Sequence, residues 1–229
     1  VVSLEGSDPE GSPLIYRLTS AANGNLKGIS LRQLGGLADP SNYCGVSDLL
    51  LVKEEAIGIA VGNCGISVLD IRDPSSVTVL AEIEFPYTTL SDAPTGVVSS
   101  DETLLFVGAD WSGLIIYDIS EPEKIAPIGA YDGGGTALGL ALSLDEKTVF
   151  MADYFGLQVQ IIDVTDPANP SLLSTYETFD FPAMDVALSP DGKTLHFVDS
   201  AYLINLDVSD PANPKELGFI FLPECASFD

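Results

Sequence analysis

Short apolar runs, each cut off by Gly, Pro, Asp or Asn, recur through the chain as AIGIAVGN (56–63), TLLFVGAD (103–110), TVFMAD (148–153) and TLHFVD (194–199). Each leads into a second run that closes on an aspartate and a turn: LDIRDP (69–74), YDISEP (117–122), IDVTDP (162–167) and LDVSDP (206–211). The leading aspartates, Asp70, Asp118, Asp163 and Asp207, follow one another at steps of 48, 45 and 44 residues. Three of the units open with a shorter apolar segment, TGVVS (95–99), LGLALS (138–143) or MDVALS (184–189), and a charged turn, SSDET (99–103), SLDEK (143–147) or SPDGK (189–193). All four end on a last run: VTVLAEIEF (77–85), IAPIGAY (125–131), SLLSTYE (171–177) and KELGFIF (215–221). Each unit therefore offers four strands joined by turn residues.

Runs such as TLLFV and LIIYDI are apolar at successive positions, not alternating, so the second and third strands are expected to be covered on both faces. Stacked sheets do that. A helical solenoid is excluded, because the runs are too short and too often broken by Gly and Pro. The pattern predicts an all-β chain: a β-propeller of about four four-stranded blades, as a closed or a partial ring, with blades near 43–86, 94–132, 136–178 and 183–222 of a repeat region 41–229. Residues 1–40 break the period and are expected to form an irregular accessory β segment.

The chain has 229 residues, 46% of them hydrophobic, enough to bury a real core. Nine basic against 34 acidic residues leave a net charge of −25, a field that repels nucleic acid and anionic membranes and attracts cations or basic proteins. Solubility in a salty or extracellular medium also explains it. No stretch approaches the ~20 apolar residues of a membrane span, so no membrane insertion is expected. The sequence opens Val1-Val2-Ser3 without Met, as expected of a processed chain or part of a larger polypeptide.

The units from GLQVQIIDVTDPANP (156–170) onward resemble the Leu-Val-Ile-Val-Pro repeat of surface-associated bacterial and archaeal proteins, and more loosely the YVTN and lactonase-like propellers. The resemblance spans about residues 45–222 and is carried by the DPANP turns at 166–170 and 210–214. The first two units depart from it, with DPSSV (73–77) and EPEKI (121–125). It implies a propeller and a cell-surface setting. Residues 1–28, VVSLEGSDPEGSPLIYRLTSAANGNLKG, resemble the opening of cadherin-like and immunoglobulin-like modules. Residues 1–40 are then either a remnant of such a module or an accessory segment whose strands, near 1–5, 14–19 and 26–34, are recruited to a propeller edge; recruitment is favoured, since an orphan hairpin is only marginally stable.

In such a fold the loops between strands two and three share one end with the links to the next blade. That end collects Asn63, Asp110, Asp153 and Asp199 at equivalent positions, beside the aromatics of Asp110-Trp111, Tyr131-Asp132 and Asp153-Tyr154-Phe155. Asn and Asp there serve first to bond backbone amides in tight turns. The functional account is an acidic, aromatic-lined binding face made of Asp110, Trp111, Asp132, Asp153, Tyr154, Phe155 and Asp199, able to take a cation, a sugar or a basic peptide. The Asp-Pro motifs at the other end read as turn punctuation. Asp8 and Glu10 are candidate metal ligands, and the cadherin resemblance makes calcium their ion. Ser12 stands where that motif often has Asp, so calcium binding is expected to be weak at most, and no other cofactor is implied.

His196, the single histidine, sits inside TLHFVD and reads as structural, because no nucleophile motif accompanies it. No catalytic set is assembled by the sequence. Cys44, Cys64 and Cys225 leave three outcomes open: free thiols, a Cys44–Cys225 bridge closing the ring, or a Cys44–Cys64 bridge. The last follows if Lys53-Glu54-Glu55 is a hairpin turn, since residues 44 and 64 then lie opposite each other. The function expected is a noncatalytic extracellular or cell-surface propeller with a protein or glycan partner, an interaction or adhesion-type module. The alternative is a lactonase- or hydrolase-like propeller enzyme with a carboxylate-held divalent metal in the channel. An intracellular scaffold is the third, and a disulfide argues against it.

Overall fold

The strands with unbroken apolar runs are the ones most deeply enclosed. The computed structural model describes residues 3–7, 13–17, 45–54, 56–62, 64–85, 94–109, 112–133, 136–178 and 181–222. β1 (Ser3–Ser7) and β2 (Pro13–Arg17) form a two-stranded antiparallel sheet of their own. Neither joins a blade, so the expected recruitment to a propeller edge does not occur through them; 26–34 lies outside the described residues.

Four antiparallel sheets follow, each in sequence order from its inner to its outer strand. They comprise β3 (Val46–Val52), β4 (Ile57–Gly62), β5 (Gly65–Asp70) and β6 (Thr78–Glu84), then β7 (Thr95–Val98), β8 (Leu104–Gly108), β9 (Leu114–Asp118) and β10 (Ala126–Tyr131). The third blade is β11 (Ala137–Leu142), β12 (Thr148–Asp153), β13 (Gln158–Asp163) and β14 (Ser171–Glu177). The fourth is β15 (Asp185–Leu188), β16 (Thr194–Val198), β17 (Tyr202–Asp207) and β18 (Lys215–Phe221). The only helical element among the described residues is a 3-10 turn at Pro122–Lys124. The inner strands succeed one another, β3 against β7, β7 against β11 and β11 against β15, and the blades form an open arc.

β4 and β12 are buried along their whole length, as apolar runs without alternation require. Register shows how the blades interlock. Counting from the residue that pairs with the strand-three aspartate, the position two further on carries the cross-strand pairs Ile59–Val68, Phe106–Ile116, Phe150–Ile161 and His196–Asn205. The first three pairs are buried in cores shared with the following blade. The fourth is polar and half-buried, with His196 Nδ1 2.6 Å from Asn205 Oδ1. No blade among the described residues covers that face. β16 accordingly alternates between buried Leu195 and Phe197, which face the third blade, and half-buried neighbours.

The turns between strands one and two also link blades. Glu102 holds a left-handed backbone (φ 55°) and its carboxylate accepts the Lys53 amide of the first blade at 2.7 Å. Glu146, at the same position of the third blade (φ 57°), accepts the Ser100 amide of the second at 2.5 Å. The fourth blade has Gly192 there (φ 73°), which removes the backbone strain and the link together. Every blade carries a bulge where its outermost strand pairs, near Val68/Leu69, Pro127/Gly129, Ile161/Ile162 and Asn205/Leu206.

The first hairpin pairs Val46 with Gly62, the register expected for a turn at residues 53–55, but beyond a bulge Leu49 pairs with Ala60 and Val52 with Ile57. The bulge absorbs the extra residue. Cys64 is disulfide-bonded. The other two cysteines, Cys44 and Cys225, and with them the ring-closing pair, lie outside the described residues. The Val46–Gly62 register, if extended by two residues, would bring Cys44 opposite Cys64, and a nonreducing peptide map is expected to link these two and leave Cys225 as a thiol. Recovery of a Cys64–Cys225 peptide would contradict the extended register. Phe150→Ala is expected to cost about 3–5 kcal/mol in urea unfolding, as for a large side chain removed from a core. His196→Ala in the same row should cost less than about 1 kcal/mol, because that face is open.

Candidate functional site

The loops between strands two and three and the links between blades lie at one end of the arc. Among the candidate residues there, Asp110, Trp111 and Asn63 lie outside the described residues, as do Asp8 and Glu10. Asp132, Asp153, Tyr154, Phe155 and Asp199 are described.

Asp153 closes β12 and is fully buried. Oδ1 accepts the amides of Thr136 (3.1 Å) and Gly156 (2.9 Å), and Oδ2 accepts the side-chain amides of Gln158 (2.9 Å) and Gln160 (2.7 Å). Four donors replace the water that burial removes. The carboxylate thereby ties the link into the third blade to the loop that follows β12. Gly156 permits the approach, since a Cβ there would stand 1.9 Å from Asp153 Oδ2. Gln160 Oε1 and Thr136 Oγ1 are buried without a partner. Burial raises the Tyr131 phenol above its usual range, and the negative charges of Asp153 and Asp132 raise it further, so these three groups share one electrostatic environment. Tyr154 and Phe155 pack edge to face at 5.0 Å, with Phe155 exposed.

Asp199 holds the equivalent position in the fourth blade. Its Oδ1 accepts the amides of Ala201 (2.7 Å) and Tyr202 (2.6 Å). Oδ2 is buried and accepts nothing. Matching the blades on their strand-three aspartates and inner strands places Pro182 at the position of Thr136, Tyr202 at that of Gln158 and Ile204 at that of Gln160. Pro182 has no amide hydrogen and Ile204 no polar group, and the Tyr202 hydroxyl does not bond Asp199 Oδ2. Beside this turn the Tyr202 ring meets Phe181 at 6.3 Å, Phe219 at 5.6 Å and Phe221 at 5.4 Å.

Asp153 and Asp199 are thus brought to the same end, but each is enclosed by its own blade. The sequence reading missed Thr136, Gln158 and Gln160, although Gln158 and Gln160 interrupt an otherwise apolar strand. It also missed Phe181, Tyr202, Phe219 and Phe221. Toward the channel, Asp48 Oδ2 accepts Thr95 Oγ1 (3.3 Å) and the Gly96 amide (3.1 Å), joining the first two blades. Burial raises the Asp185 carboxyl above the ordinary aspartate value, opposed by its bond from the Val186 amide. Among the described residues no three His, Cys, Asp or Glu side chains are placed to hold one metal ion.

The opposite end is built from aspartates in turns. Asp118 Oδ1 accepts the Ser120 amide (2.9 Å) and hydroxyl (2.6 Å), and Asp163 and Asp207 accept the amides of Thr165 and Ser209 at 2.9 Å. Asp70 binds the Arg72 guanidinium. In the two DPANP turns Asp166 and Asp210 accept the side-chain amides of Asn169 (2.8 Å) and Asn213 (2.9 Å). These motifs are turn locks.

A family model described as the LVIVD repeat matches residues 47–83, 98–133, 140–178 and 182–220. Within the matched ranges LIIYD (114–118) and VQIID (159–163) close on the aspartate that locks each turn. No curated protein matches the chain. Among solved structures, the periplasmic gluconolactonase of Pseudomonas aeruginosa is similar at a TM-score of 0.69 and 13% identity over 95% of this chain and 62% of that one. A functionally unknown protein from Desulfotomaculum acetoxidans is similar at 0.64 and 13% identity, over 96% and 63%. Hydrazine synthase of Kuenenia stuttgartiensis is similar at 0.62 and 18% identity, over 83% and 53%. The chain spans less than two thirds of the length of each, and these likenesses show the fold alone.

The turn locks carry a pH signature. Hydrogen bonds from the side chains two residues on, and from Arg72, hold Asp70 at about 2 and Asp118 and Asp163 below their usual range. Backbone and hydroxyl bonds from Ser209 lower Asp207 likewise. A carboxyl whose folded pKa lies below its unfolded one contributes stability that is complete above the unfolded value and lost as pH falls through the folded value. Urea midpoints are therefore expected to drop as pH falls from about 4 to about 2. Asp118→Asn and Asp163→Asn should each flatten part of that slope; an unchanged slope would refute the lock.

Proposed function

The chain belongs to the LVIVD repeat family, and from that premise we propose that it is a noncatalytic interaction module of a longer extracellular or cell-surface protein. It binds a protein or glycan partner through the end of the arc that carries Asp132, Asp153, Tyr154, Phe155 and Asp199, with Asp110 and Trp111 on the same loops in sequence. The observation that carries this reading is the gathering there of the exposed Phe155 ring, set edge to face on Tyr154, with the exposed Asp132 and the buried Asp199 carboxylate, whose Oδ2 accepts no hydrogen bond; aromatic rings are enriched at interfaces. The charge of −25 favours basic or cationic partners and disfavours nucleic acid. The disulfide at Cys64 supports an oxidising, extracytoplasmic setting. No described helix is long and apolar enough to cross a membrane. Calcium at Asp8 and Glu10 is at most a weak accessory in this reading.

A lactonase-like enzyme with a divalent metal in the channel is the second reading, favoured by the likeness to gluconolactonase. It needs carboxylates converging across the blades, whereas Asp48 is already committed to its neighbour β7. One experiment separates the two. The purified chain is assayed for lactone turnover with and without chelator, and in parallel for saturable binding to arrayed glycans and basic proteins. Binding that is weakened by salt and lost in Tyr154→Ala/Phe155→Ser, without turnover, is expected. Chelator-sensitive turnover would replace the proposal with the enzyme.

A further inference from the structure

Resting on the reading of this end as a binding face, we propose that the corner formed by Asp199, Phe181, Tyr202, Phe219 and Phe221 receives an arginine side chain from a basic segment of a partner protein. Asp199 is 5% exposed, and its Oδ2 is a buried carboxylate oxygen with no donor in the chain. Such an atom asks for a hydrogen-bond donor or a positive charge. The third blade meets the same demand at Asp153 Oδ2 with Gln158 and Gln160, whereas Tyr202 and Ile204 stand in their places in the fourth blade and Asp199 Oδ2 receives no hydrogen bond. The fourth blade keeps the acid and the turn amides on its Oδ1 but drops the donors to Oδ2. What it places beside the acid instead is a cluster of rings.

The geometry of those rings selects the ligand. Tyr202 makes interplanar angles of 88° with Phe219, 56° with Phe221 and 48° with Phe181. Rings set at such angles make a corner, whereas a sugar stacks best on a coplanar platform. A cation meets several ring faces in a corner. The buried oxygen requires the incoming group to shed water, and a guanidinium is more weakly hydrated than an ammonium or a divalent metal ion and packs flat on aromatic faces. Phe219 and Phe221 are exposed on the outermost strand and Phe181 on the link from the third blade, so the corner is reached from outside the arc. The acidic field of the chain draws a basic segment toward it.

The test follows the chemical shifts of the full chain during titration with acetyl-arginine-amide, acetyl-lysine-amide, methyl glucoside and calcium. Saturable shifts with the arginine probe at residues 181, 199–202 and 219–221, and weaker ones with lysine, are expected. Asp199→Asn should weaken binding about tenfold, while Asp191→Asn, an exposed acid at the opposite end, should leave it unchanged. Tyr202→Leu and Phe221→Ser, each checked for an unchanged melting profile, should weaken it as well and serve if Asp199→Asn does not fold. Equal weakening by Asp191→Asn reduces the effect to net charge and overturns the proposal. So does a response to methyl glucoside or calcium in place of arginine, or none to any probe. Arginine-dependent shifts confined to Tyr131, Asp132, Tyr154 and Phe155 overturn this corner while leaving the binding face standing.

Discussion

A four-stranded sheet whose middle strands are apolar on both faces can be buried only by another sheet on each side. Everything else in this chain follows from that constraint. It is why Ile59–Val68, Phe106–Ile116 and Phe150–Ile161 occupy one position in successive blades, each delivering its apolar area to the next. In the fourth blade the same position holds His196 and Asn205, which satisfy each other, and no described blade lies against them.

Much of this was legible in the sequence because the constraint writes itself locally. Unbroken runs mark the enclosed strands, and the aspartates that close LDIRDP, YDISEP, IDVTDP and LDVSDP mark turns whose bonds are made two residues away. The DPANP turns are readable for the same reason, since Asp166 and Asn169 are three residues apart. What the sequence hides depends on register and on contacts between blades. The bulge after Val46 moves the pairing of the whole first hairpin by a residue, and nothing in VSDLLLV announces it. The link from Glu102 to the Lys53 amide spans 49 residues. The separate pairing of β1 with β2 was one of two outcomes left open, because the likeness of residues 1–28 to another module carries no information about what they pair with here.

The candidate site was half legible. Asp153 and Asp199 stood out by position, and one is a sealed knot of hydrogen bonds while the other has an unanswered oxygen. The unanswered oxygen comes from Gln158 and Gln160 against Tyr202 and Ile204, and the loss of one further amide from Thr136 against Pro182, substitutions visible only once the blades are laid over one another through their hydrogen-bonded pairs. Repetition of this kind lets a chain keep a scaffold position fixed and change its chemistry by altering three neighbours.

The bulge that recurs beside the outer strand of every blade has a consequence for how the molecule meets copies of itself. A flat outer strand offers a row of unpaired amides and carbonyls on which another sheet can grow. In each blade the displaced residue bends that strand and interrupts its ladder, so the margin of the sheet no longer presents an even row. This matters most at β18, where Leu217, Phe219, Ile220 and Phe221 are exposed along one margin. With the ladder broken at Asn205/Leu206, that margin is a poor seed for fibrils despite its greasy side chains, and the rings displayed on it remain open to other encounters.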